Sequence, residues 1–333
     1  MYGKTYKGVI IKRRRIIHTD RDVLDVIDEI DEFSSNTKSK SKRSRHDSKN
    51  SLNIFESTRT CRDDNDDASD NEVWELTNIH VIIKASSWDK LRLLRGKHME
   101  DPLKEIQAMQ LPGGYHPHII HSPCALQDDH YLYNITPYCA NGDLYGVVIR
   151  DITTQKRGNE DNAHGWFQQI LLALVHLQQK GICHQNLSLE NAMVHERTCK
   201  IIDFGLVLRT PYMNIHLRNN HVTDVSDYGD GSTRLLMTAQ GQCGDAFTYM
   251  APEILCRDPY FDGFAIDLYA AGIILYIMLV DHKPFKWAHK SDERFMNLAV
   301  HGRMEELLSY EEIDVSLDAV HLLQNLLWED LRK

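Results

Sequence analysis

Apolar residues recur at helical spacing in three parts of this chain. The longest apolar run covers residues 268–280 and contains no charged side chain. It is too short to cross a bilayer, which needs about 20 apolar residues in a helix, and it predicts a helix surrounded by protein. A second segment has Leu103, Ile106 and Met109 in steps of three. That spacing predicts a helix with Glu105 on its inward flank.

A third, shorter helix is predicted near the N-terminus, after a capping residue at Thr19 or Asp22. Its apolar positions recur at helical spacing at Val23, Ile27, Ile30 and Phe33.

The composition around this helix differs from that of the rest of the chain. Residues 34–51 are rich in Ser, Lys, Arg and Asn and nearly free of apolar side chains, while residues 63–72 are acidic. Such segments bury too little apolar surface to fold. We therefore expect a disordered insertion over about residues 16–72, apart from the short helix.

The formal net charge of −10 conceals a basic N-terminal part of the chain. The basic side chains between residues 38 and 45 are compatible with a nuclear-import or nucleic-acid patch. They are also compatible with a solvated loop whose charges keep it extended. No aromatic residue lies among them to stack on bases, which favours the solvated loop. We expect no nucleic-acid partner.

The cysteines and the N-terminus bear on the cellular compartment. The 7 cysteines are scattered without a C-x-x-C pair, which is typical of a reducing compartment and disfavours a zinc site or disulfide framework. The first fifteen residues lack the apolar core of a signal peptide. We expect a cytoplasmic or nuclear protein that is not attached to a membrane.

The most informative stretch is HQNLSLEN at residues 184–191, followed by DFG at residues 203–205. These strings resemble the H-R-D-L-x-x-x-N catalytic loop and the D-F-G triplet of eukaryotic protein kinases. In family order, the chain also contains VIIK ending at Lys84, MAPE ending at Glu253 and DLYAAG beginning at Asp267. The resemblance covers about residues 74–333 and a fragment at the N-terminus.

The resemblance implies an α+β, two-lobed protein-kinase fold. A small β-rich lobe with one main helix would span residues 1–137, with strands at about 6–12 and 79–84. A larger helical lobe would span residues 138–333 and carry the catalytic loop and an activation segment over residues 203–253. ATP would bind in the cleft between the lobes.

Both ends resemble incomplete parts of that domain. Residues 2–8 are similar to the end of the family's glycine-rich loop, with the preceding strand and glycines missing. Residues 327–333 stop one position before an arginine that in the family pairs with Glu253. We expect a domain truncated at both ends, as an incomplete gene model or as an eroding copy.

The resemblance also assigns roles to individual residues. Lys84 would bind the α- and β-phosphates of ATP and form an ion pair with Glu105. The alternative for Lys84 is an ordinary strand lysine with its ammonium in solvent. Asn191 and Asp203 would ligate Mg²⁺, for which an amide oxygen and a carboxylate are suitable donors. The remaining residues around the nucleotide would be Gly3, Ile82, Tyr138, Cys139 and Met193.

The chain departs from the family where the chemistry takes place. Asn186 replaces the aspartate that accepts the substrate hydroxyl's proton, Gln185 replaces an arginine that reads a phosphorylated activation loop, and Ser188 stands where a lysine is common. Ile82 replaces an alanine above the adenine, so its larger side chain would intrude on the base. These changes weaken the expected catalysis.

Three interpretations remain open. The chain is a pseudokinase that holds ATP and Mg²⁺ and acts through protein contacts, with phosphoryl transfer weak or absent. Alternatively, it is an active kinase that transfers the ATP γ-phosphate to protein Ser or Thr. In the third interpretation it is a fragment of an active kinase gene, which would not explain the internal changes at Gln185 and Asn186.

Overall fold

The structure is a computed structural model. It describes residues 3–16, 29–35, 71–94, 101–110, 116–155, 160–209, 212–214, 225–227, 232–235, 247–258 and 261–328.

Contacts within the chain divide it into two compact units. The first unit comprises Met1–Leu94 and Ser122–Tyr138, and the second comprises Arg95–His121 and Cys139–Lys333. The boundary expected from the sequence follows residue 137, whereas residues 95–121 group with the second unit.

The first unit is a five-stranded antiparallel sheet in the order β2-β1-β3-β5-β4. Its strands are β1 Gly3–Ile16, β2 Glu29–Ser35, β3 Asn71–Ser87, β4 Cys124–Gln127 and β5 Tyr131–Pro137. Helix α1, Trp88–Leu94, follows β3 directly.

Alternation along β3 separates a buried face from a polar one. Val81 and Ile83 are buried and form a small core with Ile135 of β5. Ile82 and Lys84 lie on the opposite face and are half-buried. The sheet therefore presents Ile82 and Lys84 side by side, as the sequence predicts for two residues that share one face.

The prediction of a helix near the N-terminus is wrong for its last residues. Ile30 and Phe33 lie in strand β2, which pairs with β1 in a register that sets Ile10 opposite Phe33. Pairing with a neighbouring strand overrides the local helical spacing, because tertiary context outweighs weak local preferences. Val23 and Ile27 lie outside the described residues.

Strands β1 and β3 are also longer than predicted. Beyond the expected segments, their pairing continues from Arg13 opposite Trp74 to Ile16 opposite Asn71. The insertion thus begins and ends as an extension of a β-hairpin. Residues 17–28 and 36–70 lie outside the described part of the chain, so the expected disorder there stays a prediction.

The second unit is mainly helical. Its helices are α2 Pro102–Met109, α3 Leu144–Gln155, α4 Glu160–Gln179, α5 Pro252–Leu255, α6 Gly263–Val280, α7 Glu293–Phe295, α8 Met304–Tyr310 and α9 Leu317–Leu327, with a π-helical turn at Met296–Val300.

Short strands complete the second unit. β6 Ile182–Cys183 pairs with β9 Leu208–Arg209, and β7 Ala192–His195 pairs with β8 Thr198–Ile201. Strands β10 Tyr212–Asn214, β11 Val225–Asp227 and β12 Ser232–Leu235 form a three-stranded sheet in the order β10-β12-β11. This sheet lies within residues 203–253, the expected activation segment.

Helix α6 is the centre of the large core. Asp262 caps it by accepting hydrogen bonds from the backbone N–H groups of Phe264 and Ala265. The side chains of Ile273, Ile274 and Tyr276 are fully buried. By length and composition α6 could cross a membrane, but 83% of it is buried inside the protein, as in a core helix. The prediction of a buried helix is confirmed.

Gly272 provides a test of this packing. A Cβ at Gly272 would lie 2.8 Å from Leu326 Cβ and 2.9 Å from Leu327 Cδ2, so Gly272→Ala forces α6 and α9 apart. We expect the free energy of unfolding to fall by about 1–3 kcal/mol. In the control Gly165→Ala on α4, the added Cβ meets no atom within 4 Å. That change should raise the free energy of unfolding by about 0.5–1 kcal/mol. Urea denaturation measures both, and equal effects would contradict the packing described.

Candidate functional site

The buried carboxylate of Asp267 anchors residues 184–191. The backbone N–H groups of His184 and Gln185 donate to Asp267 Oδ2 and Oδ1 over 2.6 and 2.7 Å. Gln185 has a φ of 64°, in the left-handed region that a non-glycine residue adopts at some cost. The two hydrogen bonds offset this cost and fix the turn.

Burial raises the pKa of Asp267 to about 7, while its hydrogen bonds from the His184 and Gln185 amides oppose the rise.

His184 connects residues 184–191 to the DFG triplet. Its Nδ1 accepts from the backbone N–H of Asn186 at 3.3 Å, and its Nε2 lies 2.9 Å from the carbonyl oxygen of Ile202. The ring packs edge-on against Phe204, with centroids 4.9 Å apart. Burial lowers the pKa of His184. Since Nδ1 accepts a hydrogen bond, the ring proton lies on Nε2 and donates to the carbonyl oxygen of Ile202.

Asn186, Asn191 and Asp203 form one hydrogen-bonded cluster. Asn186 Nδ2 donates to Asp203 Oδ2 at 3.3 Å, and Asn191 Nδ2 donates to the Asn186 carbonyl oxygen at 2.8 Å. The Asn191 carbonyl oxygen accepts from the Ile202 N–H at 2.9 Å, and the Gly205 N–H lies 3.4 Å from Asp203 Oδ1. The fold thus brings together three residues that the sequence assigned to one site.

The donor atoms of this cluster fit a magnesium ion. Asn191 uses its amide nitrogen within the loop, which leaves its Oδ1 as the outward donor. Asp203 supplies a carboxylate, and both side chains are half-buried. Hard oxygen donors of this kind suit Mg²⁺, which completes its coordination with water and phosphate oxygens.

Lys84 and Ile82 lie in the first unit on strand β3. In the sheet, Lys84 stands between Thr5 of β1 and Asn134 of β5, and Ile82 stands between Lys7 and Thr136. Gly3 opens β1 opposite Ser86.

Tyr138 follows the end of β5 in the same unit. Its backbone N–H donates to the carbonyl oxygen of His80 at 3.2 Å. The ammonium of Lys7 sits 3.8 Å from the centroid of the Tyr138 ring, a cation–π contact. These contacts hold Tyr138 against its own sheet.

Glu105 belongs to the second unit. Helix α2 begins at Asp101, whose side chain accepts from the Leu103 N–H at 3.0 Å and whose own N–H donates to the Gly205 carbonyl oxygen at 3.1 Å. Glu105 and Met109 are buried, as the sequence predicts, whereas Leu103 is 41% exposed. The inward placement of Glu105 is confirmed, and that of Leu103 is wrong. The ion pair of Glu105 with Lys84 stays a prediction.

The two remaining residues expected around the nucleotide also lie in the second unit. Cys139 is buried, and burial raises the pKa of its thiol. Met193 lies on β7, half-buried against the large core, and its backbone forms a bridge with Asp143.

A buried polar pair beside Lys84 was missed by the sequence analysis. Ser122 Oγ donates to Asn134 Oδ1 at 2.7 Å, and both residues are buried. Asn134 is the cross-strand partner of Lys84, so this polar pair lies on the face of the sheet that carries the lysine. The sequence feature that could have identified this pair is the single asparagine within the mostly apolar strand β5.

A small pocket opens between the catalytic loop and the end of the activation segment. Its lining is residues 185–187 and 249–251 together with Ile254, Ile266, Asp267 and Ala270. The lining is mostly apolar, with the amides of Gln185 and Asn186 at one side. An arginine in place of Gln185 would bring a positive charge to this wall, so the pocket lacks the cation that reads a phosphate in the family.

The half-buried Glu253 and the buried Tyr269 are close in sequence to residues that line this pocket. Burial, and to a lesser degree Asp258, raises the pKa of Glu253. The hydroxyl of Tyr269 is buried and has no hydrogen-bond partner among the described residues. Burial and the nearby Glu253 raise the pKa of Tyr269.

A protein-family sequence model, the protein kinase domain, matches residues 73–333. The chain belongs to the protein kinase domain family. The five-stranded sheet therefore belongs to the N-lobe of a kinase domain and helices α3 to α9 to its C-lobe, and the predicted α+β, two-lobed fold is confirmed.

Curated relatives agree with this assignment. The kinase domain is 31% identical to human serine/threonine-protein kinase DCLK3 over 250 residues, which are 74% of this chain and 33% of that protein. It is 30% identical over 204 residues to Caenorhabditis elegans serine/threonine-protein kinase kin-29, covering 61% of this chain and 20% of the relative. It is 30% identical over 199 residues to Arabidopsis thaliana CBL-interacting serine/threonine-protein kinase 26, covering 60% and 39%. The chain thus spans well under half of each relative.

Asp267→Asn tests the anchor of the catalytic loop. The change sets an amide N–H₂ against a backbone N–H, so we expect the free energy of unfolding to fall by about 1–3 kcal/mol. Because the folded-state pKa of about 7 is raised above the ordinary 3.8, the wild-type carboxyl stabilises fully below about pH 4 and less as the pH rises through 7. The deficit of the variant should therefore shrink between those pH values.

Urea unfolding of both proteins at several pH values between about 4 and 8 measures this difference. The exposed Asp318→Asn serves as control and should show little pH-dependent difference from the wild type. A deficit of Asp267→Asn that is constant with pH would contradict the raised pKa.

Tyr269→Phe removes a buried hydroxyl that has no partner among the described residues, so we expect the free energy of unfolding to rise by about 1 kcal/mol. Tyr276 is the matched control, because its buried hydroxyl accepts from Arg294 Nη2 at 3.1 Å. Tyr276→Phe should lower the free energy of unfolding by a similar amount. Calorimetric melting of both variants and the wild type measures these changes in stability. A loss of stability in Tyr269→Phe would show that its hydroxyl has a partner.

Proposed function

We propose that this chain is a pseudokinase: a protein kinase domain that binds ATP, transfers phosphate weakly or not at all, and acts through protein contacts. The observation that carries the proposal is the side chain of Asn186. It occupies the position of the general base, and its amide nitrogen donates to Asp203.

The chemistry of an amide explains the expected loss of activity. An amide oxygen can accept a hydrogen bond from a substrate hydroxyl, but it takes up no proton at neutral pH. General-base catalysis contributes about 10²–10⁴-fold in rate. A side chain whose nitrogen is engaged with Asp203 orients a substrate hydroxyl through one oxygen only.

Nucleotide binding is supported by the residues that remain. Lys84 stands on the polar face of the N-lobe sheet, and Asn191 and Asp203 present oxygen donors in the C-lobe. The family as a whole uses ATP and Mg²⁺. We therefore assign ATP as the ligand, Lys84 to its phosphates, and Asn191 and Asp203 to the cation.

A protein is the partner that this proposal requires. The relatives are named as serine/threonine-protein kinases, and one is named for its interaction with CBL proteins. A kinase fold without a general base can act only by binding, and the ligands that remain for it are nucleotide and protein. We place the protein in the cytoplasm or the nucleus, from the cysteine usage.

The alternative is an active Ser/Thr kinase, and the intact metal-binding donors favour it. The transition state of phosphoryl transfer is loose, so positioning and electrostatics supply much of the catalysis. A domain with Lys84, Asn191 and Asp203 in place retains those contributions.

Phosphate incorporation from labelled ATP with Mg²⁺ separates the two functions. We expect Asn186→Asp to raise the rate on a generic substrate by about 10²–10⁴-fold over the wild type, because it restores the base. Lys84→Met, which removes the phosphate ligand, provides the background.

Wild-type labelling well above that background, and not improved by Asn186→Asp, would overturn the proposal in favour of an active kinase. Absence of labelling by both proteins would show that Asn186 is not the sole cause of the lost activity, and that the defect extends to the phosphate loop or the fold.

A further inference from the structure

We infer that the Asn186–Asp203 hydrogen bond allows this domain to bind nucleotide with little dependence on a divalent cation. The inference deepens the proposed ATP binding and rests on it. It concerns the charge and the donor atoms of residues in the C-lobe alone.

The charge at this point of the site is the first consideration. With an aspartate at position 186, a second carboxylate would stand about 3.3 Å from Asp203, the separation at which the Asn186 nitrogen now lies. Two carboxylates so close repel each other, and a phosphate chain brought to them is repelled further unless a cation lies between them. The asparagine removes one of these charges.

The donor direction is the second consideration. The amide nitrogen of Asn186 donates a hydrogen bond to Asp203 Oδ2. A cation bound by Asp203 would need a lone pair of the same oxygen. The amide therefore satisfies part of the same carboxylate that would hold Mg²⁺, and a bound cation has to share or displace the N–H. The asparagine supplies without metal some of the compensation that Asp203 needs.

The amide is also held in place from its own backbone. The Asn186 N–H donates to His184 Nδ1, and its carbonyl oxygen accepts from Asn191 Nδ2. His184 and Gln185 are in turn bound to Asp267 through their N–H groups. Because three neighbours fix this turn, the backbone from which the Asn186 side chain reaches Asp203 is held in place.

The chain offers a matched control for this contact. On the surface of the same lobe, Asn162 Nδ2 donates to Asp151 Oδ2, also at 3.3 Å. Asn162→Asp thus creates the same carboxylate pair from the same geometry, away from the site. Its effect measures one added negative charge together with the loss of this hydrogen bond.

Titration calorimetry with ATP, in EDTA and in excess Mg²⁺, tests the inference on the wild type, Asn186→Asp and Asn162→Asp. We expect the dissociation constant of the wild type and of Asn162→Asp to change by less than about threefold between the two buffers. For Asn186→Asp we expect a change of about tenfold or more, with the weaker binding in EDTA.

A second measurement needs no nucleotide. In EDTA, Asn186→Asp should melt about 2–4 °C below the wild type, because the carboxylates repel, and Mg²⁺ or Mn²⁺ should restore much of this loss. Asn162→Asp should show neither the loss nor the recovery, because its charges are exposed and screened.

The outcomes separate this inference from the proposed function. Wild-type binding that requires Mg²⁺ as strongly as Asn186→Asp does would overturn the inference and leave ATP binding standing. Absence of ATP binding to the wild type in both buffers would overturn both.

Discussion

The site depends on one carboxyl group that lies in the core of the helical unit. Asp267, buried in helix α6, accepts the N–H groups of two consecutive residues and so determines where the catalytic loop turns. From that turn, His184 reaches the residues before Phe204 and Asn186 reaches Asp203. A helix embedded in the core thus sets the positions of the polar side chains, which is why a mainly apolar segment belongs to the functional machinery.

The sequence predicted that residues 184–191 and 203–205 come together and that helix α6 is buried, because motif and burial coincide there. Residues 184–191 and 203–205 are short, and their backbone groups bond to one another. Helix α6 is apolar except for Asp267 and its tyrosine hydroxyls, so local pattern and tertiary structure agree. Near the N-terminus they disagree. Ile30 and Phe33 have helical spacing but pair with β1 as a strand, and pairing between distant residues leaves no trace in local periodicity.

Single polar residues inside apolar segments were the second kind of feature that the sequence did not predict. Asn134 lies in a strand that reads as apolar, and only the fold reveals Ser122 as its partner and Lys84 as its neighbour. The hydrogen bond from Asn186 to Asp203 was equally hidden, because the sequence shows a lost base and not a gained donor. What a substitution removes can be read from a motif, whereas what it adds depends on the atoms that surround it.

Because β1 and β3 pair as far as the two ends of the insertion, the length of the insertion has little effect on the stability of the N-lobe. With Ile16 opposite Asn71, the two ends of the insertion are held about 5 Å apart by the sheet itself. Closing a longer loop across such a gap costs only about 0.6 kcal/mol for each doubling of its length. Relatives of this domain could therefore gain or lose residues here, and acquire new partners through them, while the strand that carries Lys84 stays in register.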